Sequence, residues 1–159
     1  MTAPRLRALS ACLALAGAAI AAYLSYARLG SVPIMCPTSG CETVQRSAYS
    51  ELGGIPVAYL GFATYLVLAA STLSEARRAL HVTALLVAAA VAVSTYLLVV
   101  QLAVIGAVCI WCVASDAAIL ALAAVTAVRE LATRPIRELP DPFRALLDDF
   151  SVERQRRFP

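Results

Sequence analysis

Residues 79–128 read ALHVTALLVAAAVAVSTYLLVVQLAVIGAVCIWCVASDAAILALAAVTAV, and Asp116 is the one Asp, Glu, Lys or Arg in the whole run. A bilayer hydrocarbon core about 30 Å thick takes roughly 20 mostly apolar residues per helix. The stretch is long enough for two crossings, and Gly106, its sole glycine, marks the reversal between them. It reads as a span over about residues 79–106, a very short turn, and a span over about residues 107–128.

Two further apolar runs lie upstream, at about residues 6–27 and 55–73. Gly30 and Pro33 follow the first; Gly53, Gly54 and Pro56 open the second. Pro56 falls in a first helical turn, where its missing N–H costs nothing. Over all 159 residues, 61% are apolar and 14% charged, against about 45–50% and about 25% in soluble domains. Such a chain has too few polar residues to cover a water-facing surface, and it is far from the low hydrophobicity of disordered segments. The first run follows Arg5 and Arg7 as a secretory signal would, but it exceeds the roughly 7–15 residues of a signal's apolar region and reads as a permanent span. The expected organisation is a four-span unit over residues 1–128, with an outer loop over 28–54, and a tail over 129–159.

Charge sets the expected orientation. The net charge is +3, with thirteen Arg and no Lys, too small an excess to suggest nucleic acid as a partner. Its distribution is lopsided. With both termini cytoplasmic, Arg5, Arg7, Arg77, Arg78 and the seven Arg beyond residue 128 lie inside, and only Arg28 and Arg46 lie outside. Positive residues concentrate on the cytoplasmic side of membrane proteins, so residues 31–54 and the Gly106 turn are expected to face outward. The tail, with Pro135, Pro140 and Pro142 and room for a short helix near residues 143–150, suggests no chemistry beyond orientation and contact with anionic lipid headgroups. His81, beside the inner end of the third span, reads as an interfacial side chain. No phosphate loop, internal repeat or metal-binding cluster of His and carboxylates stands in the sequence.

Five cysteines remain. Cys12, inside the first span, reads as a small buried apolar residue. The other four fall on the outer side, as Cys36-Pro-Thr-Ser-Gly-Cys41 in the loop and Cys109-Ile-Trp-Cys112 at the start of the fourth span. That is the side on which disulfides persist. On a helix, positions i and i+3 share a face, and a helix N-terminus favours a thiolate. Cys109 and Cys112 can thus form a ring able to exchange with a thiol from the loop, while the inner sulfur reaches a molecule dissolved in lipid. Two alternatives are static disulfides clamping the outer face and a four-cysteine zinc site. Short closed loops gain little from a static cross-link, and no polar groups surround Cys112 to support a metal; no metal is expected.

Asp116, one turn below Cys112 on the same face, is an intramembrane carboxylate, which marks a functional or proton-handling position by default. Trp111 reads as an interfacial anchor or a pocket residue. Residues 42–51 suit a short helix on the membrane surface, with Val44 and Ala48 on one face and Ser47 alongside, lying over Cys109. The fold class expected is all-α: an integral membrane four-helix bundle with a redox loop and a short surface helix on its outer side.

Four spans, a loop Cys pair, a Ser six residues after its second member, Gly54-Ile55-Pro56 opening the second span and C-x-x-C opening the fourth together resemble the vitamin K epoxide reductase family, in particular its bacterial homologues. The likeness covers about residues 6–128. It implies a bundle around a quinone (menaquinone or ubiquinone), with Cys109 and Cys112 as the quinone-proximal pair and Cys112 the sulfur that meets the quinone. It makes Cys36 and Cys41 the shuttle pair, with Cys41 forming the mixed disulfide with Cys109. Ser47 and Asp116 would line the quinone site, and Trp111 is expected beside them as a further cofactor-binding residue. Many bacterial relatives continue into a thioredoxin-like domain; ending at Pro159, this chain is expected to use a separate DsbA-like partner, in the inner (plasma) membrane of a bacterium. The function implied is oxidation of that partner, two electrons passing through Cys36/Cys41 and Cys109/Cys112 to the quinone pool. The alternatives are vitamin K epoxide or quinone reduction, or a non-catalytic membrane subunit with structural disulfides. A DsbB-like protein would carry the two Cys spacings in the reverse order.

Overall fold

The computed structural model describes residues 3–30, 32–37, 39–72, 74 and 76–133. The tail beyond residue 133, with the short helix expected there, lies outside the described residues. Helices dominate: α1 (Ala3–Gly30), the short α2 (Gly40–Gln45), α3 (Val57–Ser71), α4 (Arg77–Val100) and α5 (Ile110–Thr133). One 3-10 turn, Ala48–Ser50, follows α2, and a π-helical turn, Gln101–Ile105, extends α4. The described chain is all-α apart from a two-stranded antiparallel hairpin, β1 (Glu51–Leu52) and β2 (Ile55–Pro56).

The long helices close a ring: α1 lies against α3 and α5, and α4 against α5 and α3. Small side chains make the closest approach possible, as they do between membrane helices. Ala14, Ala18 and Ala21 form one buried stripe on α1, meeting Tyr65 and Leu68 of α3, Val87 of α4, and Ile119 and Leu122 of α5. Gly17 belongs to the same stripe, and the Tyr65 ring occupies the space that a Cβ there would need. Outside the ring, large apolar side chains such as Leu15, Val67, Leu85, Val99 and Leu120 are exposed. So much exposed apolar surface is the mark of a lipid-facing exterior. Cys12 is exposed too, which corrects its expected burial: it falls off the Ala14–Ala18–Ala21 stripe and turns outward.

Three helical stretches, Pro4–Gly30, Arg78–Ile105 and Ile110–Leu131, are long and apolar enough to cross a membrane. The fourth, α3, is apolar but has only 15 residues, about 22 Å at 1.5 Å per residue. It starts later than residue 55 because the hairpin takes up Ile55 and Pro56. Gly53 and Gly54 turn that hairpin with φ of 60° and 83°, the left-handed pair that a tight two-residue turn requires. The reversal before α5 is also longer than one glycine. Gly106 takes φ 66° and ends the π turn, and residues 107–109 run on without helix before α5 begins.

Candidate active site

Helix α5 starts immediately after Cys109, whose carbonyl accepts the Val113 N–H at 3.0 Å. Cys109 is therefore the N-cap residue, and its sulfur accepts the backbone N–H of Cys112 at 3.4 Å. In most helices a Ser, Thr or Asp oxygen fills that position; here it is a thiol. Hydrogen bonding from the Cys112 thiol is the largest influence on Cys109. With the backbone N–H groups of Cys112 and Trp111, it outweighs burial and Asp116 and holds the Cys109 thiol down to about 7. Cys109 and Cys112 stand as free thiols, Cys109 wholly buried and Cys112 half-buried.

The other pair is a disulfide, Cys36–Cys41, with Cα atoms 6.2 Å apart. Cys41 opens the buried side of α2, and Cys41, Val44 and Cys109 form one buried cluster against which Cys36, Trp111 and Cys112 pack. The close fit depends on Gly40, where a Cβ would run into the Val108 carbonyl oxygen. Arg28, at the end of α1, ties the loop down: its guanidinium donates to the Gln45 carbonyl at 2.5 Å and pairs with Glu51. Cys41 is wholly buried, whereas Cys36 remains half-buried at the surface.

Beneath α2 and the 3-10 turn lies a cavity of about 520 Å³. Its walls are mostly apolar, from Leu24, Val57, Leu86, Leu97 and Ile119 among others. Among the polar residues that line it are Cys112, Gln45, Ser47, Gln101, Ser115 and Asp116. Gln45 Nε2 lies 4.0 Å from the Cys112 sulfur. Ser94 donates to Asp116 Oδ1, while Oδ2 is buried without a partner. Tyr65 hydroxyl donates to the Ser115 carbonyl at 2.8 Å, bracing α5 against α3. Among the described residues, no three His, Cys, Asp or Glu side chains are grouped to hold a metal ion.

Two cysteine pairs meeting at one end of a helical ring, one bonded and one free, with a mostly apolar chamber beside the innermost sulfur, is an arrangement for moving electrons between thiols and a lipid-soluble molecule. The model of the vitamin K epoxide reductase family matches residues 8–127. The chain belongs to that family. Membership makes it a membrane oxidoreductase, in a family that takes quinones as electron partners. No individual curated protein matches it. The cavity suits a quinone: it is large, mostly apolar as small-molecule sites are, and offers an unpartnered carboxylate oxygen beside a free thiol.

The residues expected from the sequence are brought together with one exception. Cys36, Cys41, Cys109 and Cys112 form one cluster, and Ser47 and Asp116 line the cavity with Cys112. Trp111 is placed elsewhere. Its indole N–H donates to the Met35 carbonyl at 2.9 Å and its ring lies 5.0 Å from that of Tyr23, so it holds the segment before Cys36 and does not line the cavity. The expected surface helix is broken at Ser47, which takes an extended ψ of 155° and donates its hydroxyl to the Val44 carbonyl. Sequence reasoning passed over Gln45, Gln101, Ser94, Tyr65 and the clamping role of Arg28. A signal existed for Gln101, a lone amide inside an apolar span and therefore suspect by position.

Proposed function

We propose that this enzyme oxidises a thioredoxin-fold (DsbA-like) dithiol protein on the outer face of a bacterial inner membrane and passes the two electrons to a membrane quinone. The partner's thiolate attacks the Cys36 sulfur, the accessible half of the outer disulfide, and Cys41 leaves as a thiolate; the partner's second thiol then closes its own disulfide and frees Cys36. Cys41 attacks Cys109 of an oxidised Cys109–Cys112 pair, releasing Cys112. Cys36 then displaces Cys109, so that the outer disulfide is restored and the inner pair is left as two thiols. Each step is thiolate–disulfide exchange, whose rate follows thiolate fraction, access and leaving group. A quinone, when bound, would supply the sink for the two electrons and two protons that the Cys109 and Cys112 thiols give up on re-forming their disulfide. Cys112, Gln45, Ser47 and Asp116 are the residues that would hold it, and Asp116, with one oxygen unpartnered, is positioned to carry a proton.

One observation carries this reading: Cys41 and Cys109 are buried in a single cluster with Cys36 and Cys112 packed against it, and Cys112 alone of the four also lines the cavity. A static clamp would have no use for two free thiols, one of them lining a chamber.

The test uses the full chain in nanodiscs with menaquinone or ubiquinone and a reduced DsbA-like protein, following quinone absorbance and thiol state. Wild type reduces the quinone as the partner becomes oxidised. Cys112→Ala abolishes quinone reduction and accumulates a Cys41–Cys109 or partner-linked disulfide. Full quinone reduction by that variant, or none by wild type with either quinone, overturns the proposal.

A further inference from the structure

Gln101 is 3% exposed, a primary amide buried at the start of the π-helical turn. Its side chain reaches eight residues forward, where Oε1 accepts the backbone N–H of Cys109 at 2.9 Å. Its own carbonyl accepts the Ala107 N–H at 3.2 Å and caps the Gly106 turn. One residue thus fixes both ends of the irregular link 106–109, from its main chain and from its side chain. π turns inside helices are uncommon and collect at functional sites; this one rotates Gln101 under the link.

The N-cap position explains what the side-chain bond does. In a capping box the cap side chain accepts an N–H from the third helical residue, and a side chain from that residue returns to accept the cap's own N–H. Cys109 makes the first half with its sulfur, to Cys112. The returning half is missing from α5, because the third residue is Cys112 itself. Gln101 supplies it from α4. With the amide of Cys109 held, its φ and side-chain rotamer are fixed, and the sulfur stays in line with the N–H groups of the first turn.

We infer that Gln101 is a positioning residue for the redox dithiol: its amide oxygen completes the helix cap around Cys109 and keeps that sulfur on the α5 N-terminus, ready to receive the thiol of Cys41. The groups that face Cys109 and bear on its ionisation are Cys112 and Asp116 of α5. From α2 comes the Cys36–Cys41 disulfide, which does not titrate, while Glu42 and Arg46 of that segment are exposed and paired with each other at 2.8 Å. The α4 side contributes the neutral amide of Gln101. Removing the acceptor therefore changes the orientation of the sulfur without removing a charge.

The inference rests on the reading of Cys109 as the thiol that meets Cys41, but its test needs neither quinone nor partner. Gln101→Met, close in shape and lacking the acceptor, is compared with wild type as the reduced full chain in nanodiscs. Peptide-resolved iodoacetamide labelling gives the rate at Cys109 against pH, and hydrogen exchange gives the protection of the Cys109 amide. The expected result is a midpoint about one pH unit higher, a labelling rate about tenfold lower at pH 6, and faster exchange at residue 109, with the amides of α4 and α5 on either side unchanged. Gln101→Glu retains an acceptor oxygen and keeps the Cys109 amide protected, which serves as the readout should the Met variant fold poorly. An unchanged Cys109 profile in Gln101→Met, or loss of amide protection in Gln101→Glu, overturns the inference. Neither result bears on whether quinone is reduced, so the electron route stands or falls separately.

Discussion

Cys109 is activated by its place as a cap rather than by a neighbouring base. No His stands by it among the described residues; the lone His81 is exposed on α4, and the thiolate is stabilised by N–H groups and by the Cys112 thiol. A thiol of ordinary pKa near 8.5 is only a few per cent thiolate at neutral pH, whereas one held down to about 7 is about half ionised there. Deprotonation is favoured as pH rises, so the reactivity of Cys109 is lost as pH falls through about 7. Alkylation of Cys109 in the reduced wild-type chain, measured from pH 5 to 9, is expected to show a midpoint near 7. Cys112→Ala keeps the backbone N–H but deletes the thiol that contributes most, and moves the midpoint upward toward the ordinary range. A profile centred at 8.5 in wild type would show that the cap does not activate the sulfur.

The outer loop works as an element because three attachments hold it: α2 seated through Gly40, the Arg28 clamp on Gln45 and Glu51, and the Tyr23–Trp111 pair around Met35. Tyr23 hydroxyl accepts the Met35 N–H at 2.9 Å while Trp111 takes its carbonyl. The seat is the sensitive one. In Gly40→Ala the new methyl meets the Val108 carbonyl, which is backbone and cannot swing aside, so α2 has to lift and draw Cys41 away from Cys109. The expected phenotype is uncoupling. A reduced thiol protein still opens the Cys36–Cys41 disulfide at near wild-type rate, while quinone reduction falls about tenfold or more; equal rates in both half-reactions would contradict this. Much of this element lay beyond the sequence. The C-x4-C spacing and Ser47 were legible, as was a helix following Gly40. The break at Ser47 was not, since helical periodicity continues through Val44 and Ala48, and two-residue strands are too short to leave any alternation. Gly53-Gly54 did carry the signal of a tight hairpin turn, but a turn alone reads equally as the punctuation before a helix.

At the scale of the whole molecule, apolar length made α1, α4 and α5 legible, because a crossing has to be long and nearly uncharged whatever it packs against. What length cannot give is which face of each helix turns inward. Cys12 is the one thiol of its apolar run and Gln101 the one amide of its own, and only the ring of four helices puts one toward lipid and the other under the redox link. The charge asymmetry adds a direction: the redox end carries Arg28 and Arg46, and the opposite end of the described helices carries Arg5, Arg7, Arg78 and Arg129. With α3 between them, Tyr49, in the 3-10 turn over the cavity, and Ser74, in the link to α4, are expected on opposite sides of the membrane. In intact cells, a membrane-impermeant maleimide is expected to label Tyr49→Cys, which is 43% exposed in the native chain, and to spare Ser74→Cys until the membrane is opened. The two positions are separated by little more than one short helix of about 22 Å, so labelling of both from outside would mean that α3 does not cross, and the cavity would then open to water instead of lipid.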